Sequence, residues 1–131
     1  MTIKKRLVLV CALILSVTFF TSCNDDDKIQ DNPPKISVIK PANTINVKPE
    51  ASFDLEVKVT DDVEIKSITA VNKELAISHS VTKFTNKKSH TLKVKFKIKK
   101  DAKEKRYGIL LTATDSNKRA AKKVVYINVK K

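Results

Sequence analysis

Apolar and polar residues alternate along most of this chain with a period of two, the signature of half-buried strands and not of helices. The clearest case covers residues 91–100, where Leu92, Val94, Phe96 and Ile98 share one side and Lys93, Lys95, Lys97 and Lys99 the other. Residues 53–60 repeat the pattern, with Phe53, Leu55, Val57 and Val59 alternating with Asp54, Glu56 and Lys58. Tyr107, Ile109, Leu111 and Ala113 line one face of a strand over 107–113, and Val125, Ile127 and Val129 do so over 123–129. Weaker alternation predicts three more strands at 35–40, 64–72 and 74–81. In the middle one Ile65 and Ile68 break strict parity, which predicts a bulge. Pro41-Ala42-Asn43, Asp61-Asp62, Asn86-Lys87-Lys88 and Asp115-Ser116-Asn117 supply the turns.

The first 34 residues depart from this pattern. Lys4, Lys5 and Arg6 precede an uncharged run from Leu7 to Phe20, as in a secretory signal. That run is shorter than the roughly 20 apolar residues a membrane span needs. It ends at Phe20-Thr21-Ser22-Cys23, apolar, small, small, cysteine, which resembles the lipobox of bacterial lipoproteins with Phe20 in place of the usual Leu. The resemblance implies removal of residues 1–22 and lipid on Cys23, and several acyl chains at about 0.8 kcal/mol per buried methylene make such an anchor stable. Asn24-Asp25-Asp26-Asp27 looks like the acidic export tether of Bacteroidetes-type surface lipoproteins, and it also reads as a solvated acidic leash. Pro33-Pro34 favours extended geometry, so residues 23–34 are expected to form a tether.

Composition sets further bounds. Removing the signal takes Cys11 with it and leaves Cys23 as the sole cysteine, so no intramolecular disulfide can form and stability must come from packing. The residues left after cleavage, 23–131, suffice for one domain and not two. Three of the 27 Lys and Arg leave with the signal while all 14 acids stay, so the mature side chains carry +10. That surplus points toward anionic partners.

Seven short strands separated by turns predict an all-β, seven-stranded antiparallel sandwich over residues 35–131. Asp61-Asp62-Val63-Glu64-Ile65 and the run from Tyr107 to Asn117 resemble the immunoglobulin-like, fibronectin- and cadherin-like domains of bacterial surface proteins, in particular lipoproteins of unknown function with one such domain behind a lipobox. The resemblance implies that Tyr107 is a tyrosine corner whose hydroxyl bonds backbone just upstream; the plain alternative is an ordinary core tyrosine. Relatives place Gly in the last turn, where this chain has Asn117-Lys118, and Asn tolerates the left-handed conformation required.

Three constellations carry candidate chemistry. Eleven basic residues lie between Lys83 and Arg106 against Asp101 and Glu104. Lys93, Lys95, Lys97 and Lys99, spaced about 6.7 Å apart and within a Debye length of about 8 Å, form a candidate anion-binding face. Lysines in such a row also guard an exposed sheet edge against pairing. Asp61, Asp62 and Glu64 share an end of the expected sandwich with Asp115 and Asn117, making Asp61, Asp62 and Asp115 a candidate calcium site as in cadherin-like domains; the same residue types are ordinary in turns. His79 and His90 lack the partners of a catalytic triad or a zinc centre and read as partly exposed strand residues.

The sequence therefore predicts a non-catalytic binding or structural module, with no cofactor, anchored by N-terminal lipid to the outer membrane and exposed at the cell surface. The expected partners are that membrane and either an anionic glycan or an envelope protein. A monomer is expected. Nucleic acid is not, because the chain does not interleave exposed stacking aromatics with its basic residues.

Overall fold

The computed structural model describes residues 32–131; the signal segment 1–22, Cys23 and the acidic run at 25–27 lie outside the described residues. Among the described residues eight strands occur in order: β1 (Lys35–Lys40), β2 (Ile45–Val47), β3 (Ser52–Thr60), β4 (Ile65–Asn72), β5 (Ile77–Val81), β6 (Ser89–Lys97), β7 (Lys105–Asp115) and β8 (Ala120–Val129). They form a three-stranded sheet in the order β1-β3-β6 and a five-stranded sheet in the order β2-β8-β7-β4-β5. All pairings are antiparallel except β2 with β8.

The inward parity builds one core. Leu55, Val57 and Val59 on β3, Ile109, Leu111 and Ala113 on β7, and Ile127 on β8 are wholly buried in a single cluster. Each fully buried aliphatic side chain contributes about 1.5–3 kcal/mol over an exposed one. Ile98, expected inside the strand at 91–100, lies just past the end of β6 and is still fully buried, held by hydrogen bonds between its backbone and those of Glu50 and Ala51.

Two expectations need correction. The strand count is eight, because β2 was too short to show a period; three residues give one alternation, and β2 is placed by its parallel ladder with β8, Ile45 opposite Ile127 and Val47 opposite Val129. The strand expected at 74–81 begins only at Ile77. Residues ahead of it form a turn in which the Leu75 amide donates to the Asn72 side-chain oxygen at 2.9 Å and Ala76 has φ 55°. Leu75 is nevertheless buried, which is why its apolar character imitated a strand position. The bulge expected near Ile65 is present as a register shift between Ile65 and Ser67 against β7.

Tyr107, near the start of β7, is 4% exposed. Its hydroxyl donates to the Lys103 carbonyl at 2.9 Å and accepts from the Lys103 amide at 3.1 Å, pinning the β6–β7 connection to the core. At the β7–β8 turn the left-handed residue is Lys118, φ 66°, and not Asn117. Asp115 makes this tolerable, because one of its carboxylate oxygens accepts the amides of Asn117 at 2.9 Å and Arg119 at 2.8 Å and so fixes the turn from both sides.

The corner and the turn each generate a stability change. Tyr107→Phe should lower the unfolding free energy by about 1–2 kcal/mol, since both backbone groups of Lys103 lose their partner. Lys118→Gly should raise it by about 0.5–1 kcal/mol, the left-handed cost of a side chain less the chain entropy that glycine adds to the unfolded state. Urea unfolding of both variants checks the pair, and a neutral Tyr107→Phe would reduce the corner to plain packing.

Candidate functional site

The lysine face takes its surroundings from strand register. Among the described residues β6 is an edge strand, bonded to β3 alone, and Lys93, Lys95 and Lys97 point outward from it. The register sets Lys93 opposite Glu56 and Lys95 opposite Asp54, and both pairs close into ion pairs at 3.9 and 3.8 Å. Both lysines remain about 70% exposed, 73% and 70%, so each pair is worth no more than about 1 kcal/mol. Their effect on the surface potential is larger than their effect on stability, because each lysine is offset by a carboxylate well inside a Debye length. Lys97 stands opposite Ser52 instead, and Lys99 lies beyond the strand end. The face is therefore split into a balanced part at Lys93 and Lys95 and a positive part at Lys97 and Lys99.

The acidic residues gather at the end of the sandwich where the described chain begins. The Asn32 amide donates to a carboxylate oxygen of Asp62 at 3.2 Å, and one Asp61 oxygen accepts the Val63 amide at 3.1 Å. Asp61 and Asp115 are brought near one another, whereas Glu64 pairs with Lys87 at 4.0 Å. The second oxygen of Asp61 and the second oxygen of Asp115 are both buried without a hydrogen-bond partner among the described residues. Burial, then the neighbouring charges of Asp115 and Asp62, raises the Asp61 carboxyl above its ordinary range against the opposing hydrogen bond from Val63. Among the described residues, no three acidic, histidine or cysteine side chains converge as a metal-binding group. Asp62 accepts the Asn32 amide, so the three residues expected as a calcium site share one end without converging as a ligand set.

Both histidines sit on inward parity at the side of the sandwich where β5 and β6 are edges, His79 against Phe96 at 6.3 Å and His90 against Phe84 at 5.0 Å between ring centroids. Half-buried ring packing of this kind is a core role.

Two surface features were not legible in the sequence. The first lies on the outer face of the β7–β8 pair, where Leu110, Val124 and Tyr126 are the exposed large apolar residues of that sheet. Gly108, the only glycine of the chain, lies opposite Tyr126, and a Cβ there would come within 2.9 Å of Val124 Cγ1 and 3.3 Å of Tyr126 Cε1. Its φ is not positive, so the glycine serves space and not backbone conformation. The Arg106 guanidinium lies 4.0 Å from the Tyr126 ring centroid, a cation–π contact. Alternation places Tyr126 outward on its strand, but it does not report what crosses the ring.

The second feature is the end opposite the acidic one. Here the segments 47–51, 97–105 and 129–131 are stitched by backbone hydrogen bonds from Glu50 to Ile98, Ile98 to Ala51 and Lys130 to Val47, and by the Lys131 amide donating to Glu104 at 2.6 Å. Together these segments carry eight lysines against Glu50, Asp101 and Glu104. The run of charge over 97–105 was visible in the sequence; its meeting with Lys48, Lys130 and Lys131 depends on topology.

No family model matches the sequence, and no curated protein matches it. Among solved structures, the chain is similar to the fibronectin(III)-like modules of CbhA from Clostridium thermocellum, with a TM-score of 0.53 and 15% identity over 73% of this chain and 46% of that one. The chain thus spans less than half the length of that structure. A PKD domain of an M14-like peptidase from a Thermoplasmatales archaeon aligns with a TM-score of 0.49 and 13% identity over 77% of this chain and 96% of that one. At 15% identity the likeness to the fibronectin(III)-like modules is one of fold, an immunoglobulin-like sandwich.

The raised Asp61 carboxyl sets a pH dependence. An acid that holds its proton more tightly when folded adds stability below the unfolded value of about 3.9, and this contribution is lost as pH rises through the folded value. Asp61→Asn keeps an acceptor for the Val63 amide and removes the charge. It should therefore melt above the wild type at pH 7, with the gap closing toward pH 3. Equal gaps at the two pH values in a calorimetric scan would show that Asp61 carries no such linkage.

Proposed function

We propose that this protein is a lipid-anchored module of the cell envelope, exposed at the surface of the outer membrane, that binds or braces a partner and performs no chemistry of its own. The lipobox-like Thr21-Ser22-Cys23 supports the anchor, and Asp25, Asp26 and Asp27 behind it support surface exposure. One geometric observation carries the reading. The chain enters the sandwich at the acidic end, where Asn32 bonds Asp62 and Pro34 is buried, and β8 finishes at the opposite end. An anchor at Cys23 would join such a domain at its acidic end and leave the basic end untethered. In this reading residues 1–22 are the removed signal, 23–34 the tether and 35–131 the displayed domain.

A second reading, an accessory subunit docked on an envelope protein, is favoured by the exposed Leu110, Val124 and Tyr126, which give the β7–β8 face the apolar and aromatic anchors that protein interfaces use. Co-purification of a protein partner that is lost on Leu110→Ser would favour that version.

Cys23→Ala, expressed in the native host, should move the protein from the detergent phase to the aqueous phase in a cloud-point partition. Retention in the detergent phase at wild-type level would reject the anchor.

A further inference from the structure

The ladder on β6 is the most conspicuous basic feature of the sequence, yet two of its lysines face carboxylates. The rest of the ladder, Lys97 and Lys99, belongs to a larger basic surplus at one end of the sandwich. At this basic end, the β4–β5 turn adds Lys73 and Glu74 to the three stitched segments, for nine lysines against four acids, all of them exposed. Of those acids Glu74 is bonded to Lys105, whose ammonium it holds more strongly protonated than usual, and Glu104 is turned to the backbone amide of Lys131. The acids of this end are thus partly engaged inside it, while Lys97, Lys99, Lys100 and Lys103 project from one continuous run of chain.

We propose that this end of the sandwich is a binding surface for an anionic polysaccharide, one bearing uronate or sulfate groups, with Lys97, Lys99, Lys100 and Lys103 at its centre and Lys48 and Lys130 beside them. The inference rests on the envelope reading above, and three observations select the partner. Charge complementarity requires an anion of many charges, because single exposed lysines hold single anions weakly in water. Among the described residues the four exposed large apolar residues, Ile39, Leu110, Val124 and Tyr126, all belong to strand faces, so this end lacks the apolar anchors on which a folded protein partner depends. The aromatic residues nearest this end, Phe53, Phe96 and Tyr107, are buried or packed on the core, with Lys105 over the Tyr107 ring at 5.0 Å, which disfavours stacked bases and hence single-stranded nucleic acid.

The test uses the full chain extracted in detergent, with heparin and polygalacturonate as probes, dextran as the neutral control, and duplex DNA and phosphatidylglycerol vesicles as competing polyanions. The wild type should bind the two anionic glycans and release them as salt rises. Changing Lys97, Lys99, Lys100 and Lys103 together to Gln should weaken that binding at least about tenfold, while Lys93→Gln with Lys95→Gln changes it by less than about twofold. Replacing the same four lysines with Arg should preserve binding, and matching melting curves will show that all variants fold. A quadruple Gln variant that binds within twofold of wild type overturns the inference, as does tighter binding of DNA or vesicles than of either glycan. The anchor is judged separately by the detergent partition of Cys23→Ala. Normal partition with absent glycan binding rejects the polysaccharide surface alone, and a failed anchor leaves the glycan measurement to decide the surface.

Discussion

Everything in this domain depends on keeping the inward parity of β3 in register with its neighbours. Shift β3 by one residue and Phe53, Leu55, Val57 and Val59 would turn to water while Asp54, Glu56 and Lys58 entered the core. Four buried apolar side chains at about 1.5–3 kcal/mol each would be lost, and three buried charges would add a larger penalty. With the marginal stability of ordinary domains, about 5–15 kcal/mol, no such state is populated. A two-residue slip is a subtler threat, since it preserves parity. The lysine ladder does nothing to prevent it, because a shift of two merely offers Asp54 another lysine. What fixes the β3–β6 register is the non-repeating part: Phe53 packed on Phe96 at 5.9 Å, and Ile98 buried and bonded on both sides by the Glu50 and Ala51 backbones.

A chain with one glycine must make its turns by other means. Glu50, Ala76 and Lys118 all adopt positive φ, at 68°, 55° and 66°, and each sits in a turn closed by a backbone hydrogen bond, from Ala51 to Lys48, from Ala76 to Lys73 and from Lys118 to Asp115. Each left-handed side chain costs about 1–2 kcal/mol, comparable to the net worth of the one or two hydrogen bonds that hold it. Gly108 is placed instead in the middle of β7, where the gain is the seat of the Tyr126 ring. The cross-strand glycine and aromatic support one another, and Arg106 completes the stack.

Alternation made most of this architecture legible. It revealed the long strands, their inward faces and the bulge at Ile65, because those are properties of one strand at a time. It missed β2, whose three residues have no period, and it overextended β5 through the buried Leu75. The site residues divide along the same line. That Lys93 and Lys95 point outward could be read from their own strand, whereas their carboxylate partners depend on register with another strand. That Asp61 and Asp115 share an end followed from strand direction, yet the capping duties that draw Asp62 to Asn32 and one oxygen of Asp115 to Asn117 and Arg119 are matters of loop geometry. The signal and lipidation motifs lie outside the described residues and rest on their sequence.

The arrangement of charge also explains how so basic a chain folds at all. Two like charges about 7 Å apart in water repel by about 0.6 kcal/mol before screening, and salt reduces this further. Where lysines are regularly spaced on a flat strand, as on β6, the repulsions would add along the row, and there carboxylates of β3 stand opposite. At the basic end the lysines radiate from turns, with long side chains free to diverge, so a surplus of five positive charges is carried at small energetic cost. The structure thus sets carboxylates opposite Lys93 and Lys95 on the flat β3–β6 pair and carries its largest local surplus where the chain turns.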